Sequence, residues 1–259
     1  MFRYFIITKR TCIILSAIAL SIVFAIIIFS TKSVVISTSQ STRLLPIYST
    51  KRTNDKKIAF SFDAAWGADD TQILIETFAK YNIKVTFFVV GEWVDKFPDK
   101  VKALHDAGHE IQNHSNTHPH LTNLSKEKII EELKTCNQKI KAITGIEPML
   151  MRPPYGDYNN NVIEATESLK MYTTQWSVDS LDWKDLSATE ITNRVQSAIT
   201  PGSIVLFHNA AKHTPEALPT LIESLLAQGY EFVPISQLIY KENYTIDHTG
   251  MQIPNTPAQ

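Results

Sequence analysis

After residue 55 the chain alternates between two hydrophobic rhythms. Short apolar runs fall at 58–62, 85–90, 110–114, 149–152, 171–176, 203–208 and 231–235, each of strand length. Between them, near 70–80, 98–107, 125–143, 159–168, 187–198 and 214–227, apolar positions recur three and four residues apart, the spacing of amphipathic helices. Ser125 ahead of Lys126-Glu127-Lys128, and Ser187 with Glu190 three residues on, have the pattern of helix N-caps. Gly108, Gly145 and Gly229 stand where helical runs stop. Alternating strands and helices predict a parallel sheet, and about seven strands predict an α/β fold of the distorted (β/α) barrel kind. A doubly wound open sheet is the alternative, but its single crevice does not readily gather five strand ends.

That last point matters because the apolar runs end in reactive groups. The run 58–62 stops at Asp63, 110–113 at His114, 149–151 at Arg152 and 203–207 at His208, while 171–176 is followed by Asp179 and Asp182. In a parallel barrel the carboxyl ends of the strands share one face, so residues distant in sequence converge on one pocket. This arrangement predicts an enzyme.

The amino end follows a different rule. Thr11 to Ser30 carries no charge over a length that lets a helix cross a bilayer core, and Arg3, Lys9 and Arg10 precede it. By the positive-inside rule, residues 1–10 are expected in the cytoplasm, 11–30 as a single transmembrane anchor, and the rest outside the cell. A cleaved signal peptide is the rival reading, although the apolar core is long for one and no clear small-residue cleavage site follows. Residues 31–55, rich in Ser, Thr and basic residues, read as a spacer, 56–240 as the catalytic domain, and 241–259 as a loose tail.

Composition narrows the function further. A net charge of -1 with no Lys/Arg-rich tract in the globular part argues against a nucleic-acid surface. Cys12 lies in the anchor, so Cys136 is the outer domain's only thiol and no internal disulfide is available.

Each candidate site residue also has a plain structural reading. His114 and His118, four apart, are either a ligand pair for a divalent ion or two surface imidazoles. Asp63 either serves chemistry or caps the following helix. The stiff turn Arg152-Pro153-Pro154-Tyr155-Gly156 explains its prolines and glycine, but not its arginine. Asp179 and Asp182 beside Trp183 fit a capping turn as well as a site, and His208 fits a satisfied core histidine.

Taken in order, SFDA at 61–64, HSNTH at 114–118, RPPYG at 152–156, DSLDW at 179–183 and LFH at 206–208 resemble the five motifs of the polysaccharide deacetylase family, also called NodB-homology or carbohydrate esterase family four. The resemblance covers about residues 56 to 240. It implies a metal-dependent hydrolase that removes acetyl groups from N-acetylated sugars. It further implies that His114 and His118 hold the metal, that Asp63 is the base and is oriented by Arg152, and that His208, paired with Asp182, protonates the leaving amine. The Tyr155 amide would stabilise the oxyanion, and Leu206 and Trp183 would line the acetyl slot. The implied ion is divalent, zinc first, with cobalt or manganese as alternatives.

One position departs from that pattern. The family's first motif has a second Asp, usually a metal ligand, where this chain has Ala64. Asp63 itself would then ligate the ion, or water would fill the vacancy, or the site would bind metal too weakly to work. Nearby Asp69 and Asp70 sit where a helix should start and are expected to cap it. An outward-facing anchored domain predicts peptidoglycan as substrate, with chitin oligomers, acetylated exopolysaccharide or O-acetyl esters fitting the same chemistry. A monomer bound to the membrane through its helix is expected. The competing reading is a glycan-binding or morphogenetic module that has lost its metal. An amidohydrolase of small cyclic amides is a further rival.

Overall fold

The computed structural model describes residues 8–31 and 43–255, with side chains in the first helix described as far as Phe24. The chain divides into two units at Thr42. The first contains helix α1, Lys9–Thr31. Among the described residues no helix is long and apolar enough to cross a membrane. The expected anchor runs through residues 25–30, whose side chains lie outside the described residues, as do residues 1–7, 32–42 and 256–259.

The second unit is the α/β domain. Its strands are β1 (Ser49–Thr50), β2 (Lys57–Ala64), β3 (Thr86–Val89), β4 (Glu110–Asn113), β5 (Leu150–Met151), β6 (Tyr172–Thr173), β7 (Val178–Asp179), β8 (Ile204–His208), β9 (Glu231–Phe232), β10 (Tyr244–Ile246) and β11 (Met251–Pro254). Its helices are α2 (Thr71–Lys80), α3 (Gly91–Lys96), α4 (Pro98–Asp106), α5 (Lys126–Thr144), α6 (Asn160–Ser168), α7 (Ala188–Ala198), α8 (Thr214–Ala227) and α9 (Ile235–Leu238). The main sheet runs β6-β5-β4-β3-β2-β8-β7, with β9 pairing the start of β2. Every pair in it is parallel. The expected parallel sheet of about seven strands is therefore present, with β9 as an addition, but its edge strands β6 and β7 do not pair, so the expected barrel is a half-barrel open between them.

Alternation along the strands sorts side chains into two layers. Phe60, Phe62, Phe87, Val205 and Phe207 face the helices in one fully buried cluster, while Ala59, Phe88, Leu150 and Ile204 belong to a second. Ser61 and Asp63 share the register face of Ala59, and His208 that of Ile204. The helix signals hold locally. Ser125 Oγ accepts from the Lys128 amide, Ser187 and Glu190 form a complete capping box, and Gly145 ends α5 with φ 73°.

Two boundaries need correction. Residues 43–55, expected as spacer, enter the domain: the Ile47 amide donates to Thr173 O at 2.9 Å, Gln175 donates back to Ile47 O at 2.7 Å, and Thr50 donates to Gly202 O at 3.0 Å. This segment thus bridges β6 to the start of β8. A Cβ at Gly202, whose φ is 87°, would lie 1.7 Å from Thr50 O, so only glycine permits the approach. Residues 241–255, expected as a loose tail, form a three-stranded sheet with β1 in the order β1-β11-β10. Both segments escaped the sequence reading because short strands of two to four residues leave almost no periodic signal.

Candidate active site

Asp63 ends the inward row of β2. Its carboxylate is buried; Oδ1 accepts from Arg152 Nη1 at 2.7 Å, and Oδ2 lies 3.5 Å from His114 Nε2. Arg152, fully buried, follows β5 and anchors itself by donating from Nη2 to Ser61 Oγ at 2.8 Å and to Gln175 O at 3.2 Å. Its guanidinium also lies 4.2 Å from the Phe88 ring centre. Burial alone would raise the Asp63 pKa, but the Arg152 guanidinium above all outweighs it and holds the carboxylate below its ordinary range.

His114 follows β4, with Nδ1 2.8 Å from Arg152 O. A carbonyl can only accept, so Nδ1 carries the proton and Nε2 presents a lone pair toward Asp63 Oδ2. Burial lowers the His114 pKa against the pull of Asp63, which keeps the ring neutral. Two acceptors facing each other at 3.5 Å repel unless a cation sits between them, and this fits a divalent ion. His118 lies close, its ring centre 4.9 Å from that of His114. Its pKa is pushed down to about 4, by burial and then by His114, so it too is neutral and able to ligate. Among the described residues, however, no three His, Cys, Asp or Glu side chains are grouped as a complete metal-binding set. Ala64 is fully buried in the helix-facing apolar layer and offers no ligand.

The loop carrying both histidines is strained and clamped. Ser115 and His118 have φ values of 65° and 58°, unfavourable for residues with a Cβ. Asn113 Oδ1 accepts from the Ser115 amide at 2.7 Å, and Ser115 Oγ accepts from the His118 amide at 3.0 Å. From α5, Glu132 Oε2 accepts from the amides of Asn116 and Thr117, each at 2.9 Å, and Oε1 from Thr117 Oγ1 at 2.9 Å. Gly91 admits the loop, since a Cβ there would meet Asn116 Oδ1 at 2.3 Å.

A second pair forms at the end of β8. His208 Nδ1 is 2.8 Å from Asp182 Oδ1, and the His208 amide donates to Asp182 Oδ2 at 2.8 Å. Thr214 Oγ1 donates to that same oxygen at 2.7 Å. Burial opposes a charged His208, but hydrogen bonding and attraction from Asp182 win, and its pKa is raised. The site thus holds an anionic carboxylate and an imidazole that favours protonation, the separation that acid–base chemistry requires.

The remaining expected residues fall around these groups. Leu206 is buried two residues before His208 on the same face, and Trp183 is exposed beside Asp182. Tyr155 adopts φ 60° and packs its ring on His118, centres 4.6 Å apart. Asp179 instead serves a local turn, accepting from the Leu181 amide at 2.9 Å. Asp70 occupies the N-cap position of α2 but does not cap it, because its backbone is helical (φ -84°, ψ -9°) and its Oδ2 accepts from the Ala210 amide at 2.8 Å. Glu132, Ser61 and Thr214 were not foreseen; only Ser61, two residues before Asp63 and so on its face, left a usable signal.

A model of the polysaccharide deacetylase family matches residues 50–174. The peptidoglycan-N-acetylmuramic acid deacetylase PdaA of Bacillus subtilis is 33% identical over 194 residues, which cover 73% of this chain and 74% of that protein. The chain belongs to the polysaccharide deacetylase family. The peptidoglycan-N-acetylglucosamine deacetylase PgdA of Listeria monocytogenes is 37% identical over 188 residues, 73% of this chain and 40% of that longer protein. The match therefore spans about two fifths of this second relative's length. Among solved structures, a family pseudoenzyme from Bacillus anthracis matches with a TM-score of 0.72 and 35% identity, covering 76% of this chain and 69% of that one. A mutant of that pseudoenzyme is described as having restored enzymatic activity.

Proposed function

We propose that this chain is a membrane-anchored, extracytoplasmic hydrolase that removes N-acetyl groups from an amino-sugar polymer, with peptidoglycan as the substrate. The observation that carries the reading is the pairing of Asp63 with Arg152 and of Asp182 with His208 across one strand-end face. An amide resists hydrolysis because its amine is a poor leaving group, so water must be deprotonated and nitrogen protonated by different groups. Asp63, kept anionic by Arg152, takes the proton from the attacking water. His208, kept charged by Asp182, delivers a proton to nitrogen as the C–N bond breaks, yielding acetate and a free amine. The Tyr155 amide stabilises the oxyanion, and Leu206 and Trp183 hold the acetyl methyl. His114 and His118 would hold a divalent ion, zinc first, which when bound would polarise the carbonyl and acidify water. The charge-free stretch of residues 11–30, preceded by basic residues, supports the anchor, and the peptidoglycan-acting relatives support the substrate.

The second reading, a glycan-binding module without turnover, is favoured by Ala64 and by the likeness to a pseudoenzyme. Elemental analysis of the purified chain, together with acetate release from N-acetylated wall glycan with and without chelator, separates the two. About one ion per chain with chelator-sensitive release is expected. Neither metal nor acetate after addition of zinc, cobalt or manganese refutes the hydrolase.

A further inference from the structure

Six large apolar or aromatic side chains stand exposed in the described part of the domain: Trp66, Ile73, Ile146, Tyr155, Trp183 and Leu226. All three aromatic ones adjoin the site. Trp183 is next to Asp182 in sequence, and Tyr155 packs on His118. Trp66, 54% exposed, reaches toward both halves of the chemistry: its ring lies 6.3 Å from His208 with planes 20° apart, and meets His118 edge-on at 6.0 Å.

The exposure of Trp66 is not a consequence of a loose loop. The Ala65 amide donates to Asn209 Oδ1 at 3.3 Å, and Gly67 O accepts from both Asn209 Nδ2 and Trp93 Nε1, the latter at 3.0 Å. Asn209 is itself tied to β2 by its amide, which donates to Asp63 O at 3.2 Å. The residues on either side of Trp66 are thus fixed to the strand that carries the catalytic carboxylate, while the indole is left in water. Leaving that much apolar surface uncovered forgoes burial energy that a core position would provide. A flat ring held rigidly beside polar groups suits a pyranose ring, which presents a face of C–H groups for stacking and hydroxyls at its edge. Pre-ordering the ring spares the ligand that ordering cost.

We propose that Trp66 is the platform on which a sugar ring of the substrate stacks, placing its acetamido group between His118 and His208. The inference rests on the deacetylase reading and adds that the ligand is a glycan ring rather than a small cyclic amide. Trp66 acts here as a substrate-binding residue.

The test uses the full-length chain in detergent, with chitotetraose as probe: its Kd by calorimetry, and KM and kcat for acetate release. Trp66→Ala should weaken binding about tenfold and raise KM in parallel, since one lost aromatic stack is of the order that shifts an equilibrium tenfold. Trp66→Phe, which keeps a flat ring, should stay within about threefold of the parent. An unchanged Kd in Trp66→Ala overturns the platform, and acetate release by the parent chain would then leave the hydrolase reading standing. Binding that depends on Trp66 without acetate release, even with zinc, cobalt or manganese added, leaves the platform and removes the hydrolase. A parent chain that neither binds chitotetraose nor releases acetate with those metals present removes both.

Discussion

Replacing Arg152 with methionine tests the electrostatic core of the site. The guanidinium is fully buried, and its neutral replacement would leave Asp63, only 7% exposed, without its closest cation. Ser61 Oγ and Gln175 O would lose donors at the same time. Removing one partner of a buried pair costs about 3–5 kcal/mol. The pH dependence identifies the cause. In the parent, the depressed Asp63 pKa contributes stability above the unfolded value of about 3.9, and this is lost only as pH falls through the lower folded value. In Arg152→Met, burial acts with less opposition and raises the folded pKa. That sign reverses the effect: folding is favoured below about pH 3.9 and penalised as pH rises toward the new folded value, by about 1.4 kcal/mol for each pH unit that separates the two pKa values. Urea unfolding of residues 43–259 in chelator, at pH 7 and at pH 4.5, should therefore show a penalty that is large at neutral pH and smaller in acid. A loss below about 1 kcal/mol at pH 7, or one that does not change between the two pH values, would refute the argument.

Asp182→Asn should lower kcat/KM by about a hundredfold. Because Asp182 raises the His208 pKa and the acid must be protonated, the alkaline limb of the pH profile should also move to lower pH; an unmoved limb would exclude His208 as the acid. Glu132→Ala should weaken divalent-ion binding about tenfold or more with the fold intact by circular dichroism, because the strained loop bearing His114 and His118 loses three hydrogen bonds. Unchanged affinity in calorimetric titration with zinc would show that the loop holds its shape without that clamp. Ala64→Asp places a carboxylate at a fully buried position, so Tm should fall in chelator and recover on adding zinc if the new group reaches the ion. A Tm that stays low with zinc present would show that position 64 remains turned into the apolar layer.

The main sheet was legible because its strands are apolar runs separated by capped helices, and both N-cap serines behave as their sequence context requires. The site was legible for a related reason: Asp63, His114, Arg152 and His208 each interrupt a buried run, and an interruption by a reactive group is informative against an apolar background. What stayed hidden has no such contrast. Glu132 is one of three acids on a charged helix, and nothing local marks it as the residue that clamps a loop. Asp70 sits at a helix start, as its type suggests, yet tertiary contact with Ala210 redirects its side chain. Strands β1, β10 and β11 are stabilised by pairing with one another, a long-range property that periodicity in a short window cannot report.

Asp63 and Asp182 are both buried carboxylates, and the barrel assigns them opposite work through their partners. Asp63 faces a permanent cation through one oxygen and a neutral imidazole through the other, so it keeps a reactive edge. Asp182 has no such edge: its two oxygens are occupied by the His208 ring, the His208 amide and Thr214, so its charge is spent on orienting the imidazole and favouring its protonated form. This division does not involve position 64. Loss of a ligand there would weaken the hold on a metal while leaving base, acid and their orienting partners in place. Selection for glycan binding alone gives no reason to preserve a buried Arg152 under Asp63, whose burial is costly in the absence of a chemical role. The retained pairs therefore favour a hydrolase whose limiting weakness is metal affinity, and added metal rather than altered substrate is the variable that should reveal its activity.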